Sequence, residues 1–92
     1  MDRYVALVDG KPGAYGVVFP DAPGCAAMGD TIEEALLNAR TALGDWILLT
    51  KADAKLSVPK PRTADELLED PEVIEDIAET RAVMRALPII ID

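Results

Sequence analysis

From Ile32 onward, apolar residues recur at three- and four-residue steps: Ile32, Leu36, Ala39, Leu43, Trp46 and Ile47. That spacing lays one apolar stripe along a helix of about five turns, which needs a second surface to cover it. The entry is marked as well. Asp30 is placed to cap the helix and Glu33 to complete a capping box, after the turn residue Gly29. The helix is expected to run to near Lys51, and everything upstream must supply what it packs on.

The upstream residues read as strands. Tyr4-Val5-Ala6-Leu7-Val8 is apolar on both alternating faces, which predicts an inner strand covered at least partly on each side. Asp9-Gly10 signals its end, Gly10 to Gly13 forms a loop, and Ala14 to Phe19 returns as the second arm of a hairpin. Tyr15, Val17 and Phe19 share one face there, and Gly16 marks a close approach across the strand. The prolines of Pro20-Asp21-Ala22-Pro23-Gly24 exclude regular structure, and Asp21 is expected to cap this turn through its own backbone. Cys25 to Met28 reads as a short third strand.

Beyond the helix, Ala52 to Lys60 is extended and Val58-Pro59-Lys60-Pro61 excludes helix. Thr63-Ala64-Asp65-Glu66 is a second capping box, and Asp70-Pro71-Glu72 opens another helix, with Val73, Ile74 and Ile77 as its apolar side. Ala82 to Ile91 reads as a final strand, in which Pro88 demands an edge position or a bulge. The expected class is α+β: a three-stranded antiparallel meander plus a final strand, with one long helix packed on the sheet (β-β-β-α-β). One domain over 1–92 accommodates this order, with 1–53 holding hairpin, short strand and long helix, 54–80 an acidic connector, and 81–92 the last strand.

Composition removes whole classes of chemistry. The 92 residues contain no His, so a His-based triad, a His general base and His-ligated zinc are absent. The single Cys25 can make no intrachain disulfide and reads as a buried structural thiol, which suits a reducing cytoplasm. No apolar run reaches the roughly 18–20 residues that span a bilayer, and Met1-Asp2-Arg3-Tyr4 lacks the layout of a secretory signal. Neither a cofactor nor a metal site is expected.

Charge is more specific. Seventeen acids against nine bases give −8, and Thr63 to Thr80 holds eight of the acids and no base. The remainder is balanced, so the net charge resides in that one segment. Such a chain is a poor nucleic-acid binder, because phosphate neutralisation dominates that affinity. Asp65–Glu69, Glu66–Asp70, Glu72–Asp76 and Glu75–Glu79 are like-charge pairs four residues apart, each unfavourable by a few tenths of a kcal/mol if helical. Helix starts compensate Asp65, Glu66, Asp70 and Glu72. Glu69, Glu75, Asp76 and Glu79 have no local compensation, and either keep a solvated face soluble or meet a basic partner.

The middle of the chain carries a pattern at fixed offsets. Phe19-Pro20-Asp21-Ala22-Pro23-Gly24-Cys25 is followed by Gly29-Asp30-Thr31, the pair Glu34-Ala35, and Asn38-Ala39. It resembles the HicB antitoxin family, tightly from Tyr4 to Trp46 and loosely from Ser57 to Asp92. The resemblance implies a partial ribonuclease-H-like fold without nuclease function. It also implies a partner: a small basic RNA-cleaving HicA-type toxin, which the chain would bind and silence. Longer HicB proteins continue into a ribbon-helix-helix or helix-turn-helix that binds promoter DNA. This sequence stops at Ile89-Ile90-Ile91-Asp92, near where that segment would begin, and no DNA-reading element is expected within it.

The expected function is therefore occlusion of a toxin, with Glu69, Glu75, Asp76, Glu79 and Trp46 as candidate partner-binding residues, in a homo-dimer or higher homo-oligomer. Trp46 also lies on the apolar stripe, where core or dimer packing competes with that role. Two alternatives stand beside it. One is a non-catalytic oligomerisation domain pairing through an exposed strand edge. The other, less favoured, is a surviving metal-dependent nuclease using Asp9 with Glu33 or Glu34, although turn and cap already account for those acids.

Overall fold

The computed structural model describes residues 3–88. Strands β1 (Arg3–Lys11), β2 (Ala14–Val18) and β3 (Ala26–Gly29) lead into helix α1 (Ile32–Ala52). Helices α2 (Ala64–Leu67) and α3 (Pro71–Thr80) then precede strand β4 (Val83–Pro88). The sheet has the order β3-β2-β1-β4 with every pair antiparallel. The α+β class and the β-β-β-α-β order hold, with α2 and α3 inserted before the last strand.

Strand β1 is central, and both of its faces are buried. Tyr4, Ala6 and Val8 turn toward α1 and join Val17, Phe19, Ala35, Ala39, Leu43 and Ile47 in the larger core. Val5 and Leu7 turn the other way and pack with Leu67 and Val73 under α2 and α3. An all-apolar strand is thus explained by two layers of cover. Strand β4 lies at the sheet edge, where Pro88 is tolerated. The isoleucines expected to continue it, Ile89 to Ile91, lie outside the described residues.

Several boundaries differ from expectation. Strand β1 continues through Asp9 and Gly10 to Lys11, leaving Pro12-Gly13 as a two-residue hairpin loop. Pairing of Lys11 with Ala14 and Gly10 with Tyr15 carries the ladder past the apparent turn signal. Asp9 is therefore a strand residue, opposite Gly16, and its carboxylate lies 3.1 Å from where a Gly16 Cβ would be. This is the close approach that the glycine permits. Phe19 and Cys25 fall just outside β2 and β3, yet both are buried. The α1 cap is one residue later than expected: Thr31 is N-cap and its Oγ1 accepts from the Glu34 N–H at 3.0 Å.

The capping box of α2 forms as read. Thr63 Oγ1 accepts from the Glu66 N–H, and the Glu66 carboxylate accepts from the Thr63 N–H. Asp70 caps α3 by accepting from the Glu72 N–H, with Pro71 at the first helical position.

Candidate functional site: an acidic groove beside the central strands

Helix α3 binds the sheet through Val73, with Ile77 partly buried beside it. Its solvent side presents Glu72, Glu75, Asp76 and Glu79, an i, i+3, i+4, i+7 set that helical geometry places on one face. These four acids form one wall of an open groove of about 500 Å³. Its floor includes Leu7, Val18, Phe19 and Val73, and the far wall is the loop residues Pro20, Pro23 and Gly24. Val18 is 45 % exposed there because α3 covers β1 but stops short of β2. The groove thus combines an apolar strip with four carboxylates, a surface suited to a cationic, partly apolar ligand face.

Arg62 holds the two walls together. Its backbone N–H and Nε donate to the Asp21 carboxylate at 2.7 and 2.8 Å, and its Nη1 donates to Asp70 at 2.9 Å. Asp21 was expected to cap its own turn; instead it binds a residue 41 positions downstream. A planar guanidinium serves two carboxylates at once, where a lysine ammonium lacks the fork. Two further hydrogen bonds fasten the same region. Tyr4 Oη donates to the Pro59 carbonyl, and Trp46 Nε1 donates to the Pro23 carbonyl at 3.1 Å.

Of the candidate residues, Glu75, Asp76 and Glu79 come together on the groove wall. Glu69 is exposed in the turn before α3 and does not line it. Trp46 packs against the α1 core and reaches the groove only from behind, through Pro23. Glu72 belongs to the wall although its place at a helix start had already accounted for it; the i, i+3, i+4, i+7 spacing was the signal. Arg62 had no sequence signal at all.

The hydrogen bond from Arg62, aided by the Glu72 N–H, holds the Asp70 carboxyl below its usual range. Glu66 is held low by the Thr63 N–H and hydroxyl, while Arg62 is pushed up by Asp70 and then Asp21. Both carboxyls are bound best when ionised. Their contribution to stability is complete above the unfolded carboxylate range and is lost as pH falls through the depressed folded values. Urea midpoints should therefore drop with acidification below about pH 4.5, and Asp70→Asn should flatten part of that slope. An unchanged slope in Asp70→Asn would remove Asp70 as a source of the acid sensitivity.

Burial pushes the Cys25 thiol up, which fits an inert core position. Asp9 lies in β1 opposite Gly16, Glu33 and Glu34 lie in the first turn of α1, and among the described residues no group of three or more His, Cys, Asp and Glu could hold a metal ion. Among the same residues no helix is long and apolar enough to cross a membrane.

A four-stranded antiparallel sheet with a long helix on one face and an acidic short helix on the other defines a small α+β domain. Residues 4–85 match the family model of the HicB_like antitoxin of bacterial toxin–antitoxin systems, and the chain belongs to that family. It is 29 % identical to the antitoxin HicB of Burkholderia pseudomallei, with a TM-score of 0.71 over 97 % of this chain and 64 % of that one. The N-terminal domain of the same antitoxin gives 27 % identity and a TM-score of 0.70, covering 97 % of this chain and 99 % of that one. A toxin–antitoxin complex of HicA3 and HicB3 contains a chain of the same fold, with a TM-score of 0.75, 20 % identity, and coverage of 97 % and 99 %. An uncharacterized 14.9 kDa protein from the rep-hol intergenic region of Haemophilus phage HP1 (strain HP1c1) is 33 % identical over 69 residues. That match takes in 75 % of this chain and 51 % of the phage protein, so the chain spans about half the length of this curated relative.

Proposed function

We propose that this chain is an antitoxin that binds and occludes a small basic RNA-cleaving HicA-type toxin in the cytoplasm, one toxin per protomer. The acidic groove carries the reading. Four carboxylates along α3 draw in a cationic surface, and the exposed Val18 with the loop residues Pro20 and Pro23 supplies apolar short-range contact once the partner has docked. Family membership supports the antitoxin role, and a structurally similar chain occurs in the HicA3 and HicB3 toxin–antitoxin complex. Inhibition by occlusion requires no chemistry from the antitoxin, and Trp46 contributes by holding Pro23 against the groove from behind.

The test requires a small basic protein encoded beside this gene, and the absence of one counts against the proposal. Co-expression should rescue growth, and the purified pair should form a 1:1 complex in which RNA cleavage stops. Failure to form that complex, or unabated cleavage within it, refutes the proposal. Magnesium-dependent cleavage of an RNA–DNA hybrid by this chain, abolished by Asp9→Asn, would refute the non-catalytic role.

A further inference from the structure

The two walls of the groove belong to different parts of the fold. Helix α3 rests on β1 through Val73, packed with Val5 and Leu7, while the opposite wall is the loop between β2 and β3. Val18 is bare between them, so packing of side chains across the groove does not set its width. Arg62 spans it instead. Each oxygen of Asp21 accepts one of its bonds, from the Arg62 N–H and from Nε, and the Asp21 side chain is only 9 % exposed. Arg62 Nη1 then reaches Asp70 Oδ2, while Asp70 Oδ1 accepts from the Glu72 N–H. The first turn of α3 thus hangs from the loop wall through one guanidinium, and both ion pairs among the described residues are made by it.

We propose that Arg62 is a positioning residue for partner binding: by tying Asp21 to Asp70 it fixes the spacing of the α3 carboxylates from the loop wall, and so lengthens the life of the docked complex. What docks rests on the toxin reading; the tie does not. Arg62 itself lines the acidic groove. By charge alone it repels a basic partner, and its removal should strengthen binding. By position it does the reverse. A wall already held at one spacing need not be ordered on docking, and the smaller ordering cost shows mainly in the dissociation rate. The two roles therefore differ in sign. Charge without shape is also insufficient, because one planar fork meets two carboxylates and a lysine lacks that fork.

Loss of the tie should leave the fold standing. Asp70 Oδ1 and Pro71 still start α3, Thr63 with Glu66 still closes α2, and Leu67 and Val73 stay buried on β1.

Arg62→Met and Arg62→Lys should each raise the rate of dissociation from the toxin about tenfold. Association should stay unchanged for lysine, and be unchanged or up to about twofold faster for methionine. Ile47→Val, in the core on the other face of the sheet, controls for lost stability. Its melting temperature should fall while its dissociation rate stays within about twofold of the parent chain. A measurement without partner reads the tie directly. Spin labels placed by Pro23→Cys and Glu75→Cys in a Cys25→Ala background should give one narrow distance across the groove, which Arg62→Met broadens. Parental dissociation rates in either Arg62 variant, tighter binding by Arg62→Met, or equally fast dissociation of Ile47→Val overturns the positioning role. A parent chain that binds no toxin fails the toxin reading alone; the distance then decides the tie, broadening supporting it and an unbroadened distance overturning it.

Discussion

Replacing Glu75, Asp76 and Glu79 together by lysine is expected to slow association with the basic toxin proposed as partner about ten- to hundredfold and to abolish most of its salt dependence. The three carboxylates share one wall of the groove, so their fields add at the approach of a cationic partner. Exposed charges act mainly on encounter, and screening within a Debye length of about 8–10 Å at physiological salt makes that contribution ionic-strength dependent. Glu69→Lys is the internal control. Glu69 does not line the groove, and its reversal should change the on-rate less than about twofold.

Loss of fold does not confound this experiment. Asp76→Lys turns the Glu72–Asp76 repulsion into a favourable pair, and Glu75→Lys with Glu79→Lys exchanges one like-charge pair for another. Each of these changes is a few tenths of a kcal/mol. Stopped-flow association at two salt concentrations reads the outcome. A triple variant with wild-type on-rate and wild-type salt slope would show that the toxin approaches elsewhere.

The second large effect concerns stability. Gly29→Ala should destabilise the chain by about 3 kcal/mol, beyond the usual range for a surface change. A Cβ at Gly29 would lie 2.4 Å from the Ala35 nitrogen and 2.8 Å from its Cα, inside the first turn of α1. Those atoms are backbone of a helix whose Ala35 side chain is fully buried, so relief means moving α1 off β3. For a domain of this size the melting temperature should fall by about 12–20 °C. Gly16→Ala is the contrast. Its new Cβ meets only the Asp9 carboxylate, which can swing aside, and the loss should stay below about 1 kcal/mol. Equal losses at the two sites would contradict the close approach of β3 and α1.

The Gly29 case also explains why part of the sequence pattern is rigid. Gly29-Asp30-Thr31 delivers a strand end against the first turn of a helix, with Thr31 capping it. The sequence identified the cap region but placed it on Asp30, because either residue type can cap and only the chain path decides which oxygen faces the free N–H groups. The same limit applied at Asp9-Gly10. A turn-forming pair was read as a turn, yet the ladder with β2 continued through it, since pairing across strands outweighs local preference.

The long helix, both later helix starts and the two-sided burial of β1 were legible from the residues, because periodicity and capping are short-range and each is encoded within about one or two turns of chain. The common offsets of Phe19 to Ala39 likewise named the family. What the tertiary structure alone decided is how distant segments meet. It put Glu72 with Glu75, Asp76 and Glu79 on one wall and left Glu69 outside. It also tied Arg62 to Asp21 across 41 residues, and covered β1 on its second face while leaving Val18 bare. An ion pair between remote segments leaves no period or spacing in the sequence. Its geometry exists only once the sheet has brought loop and connector together.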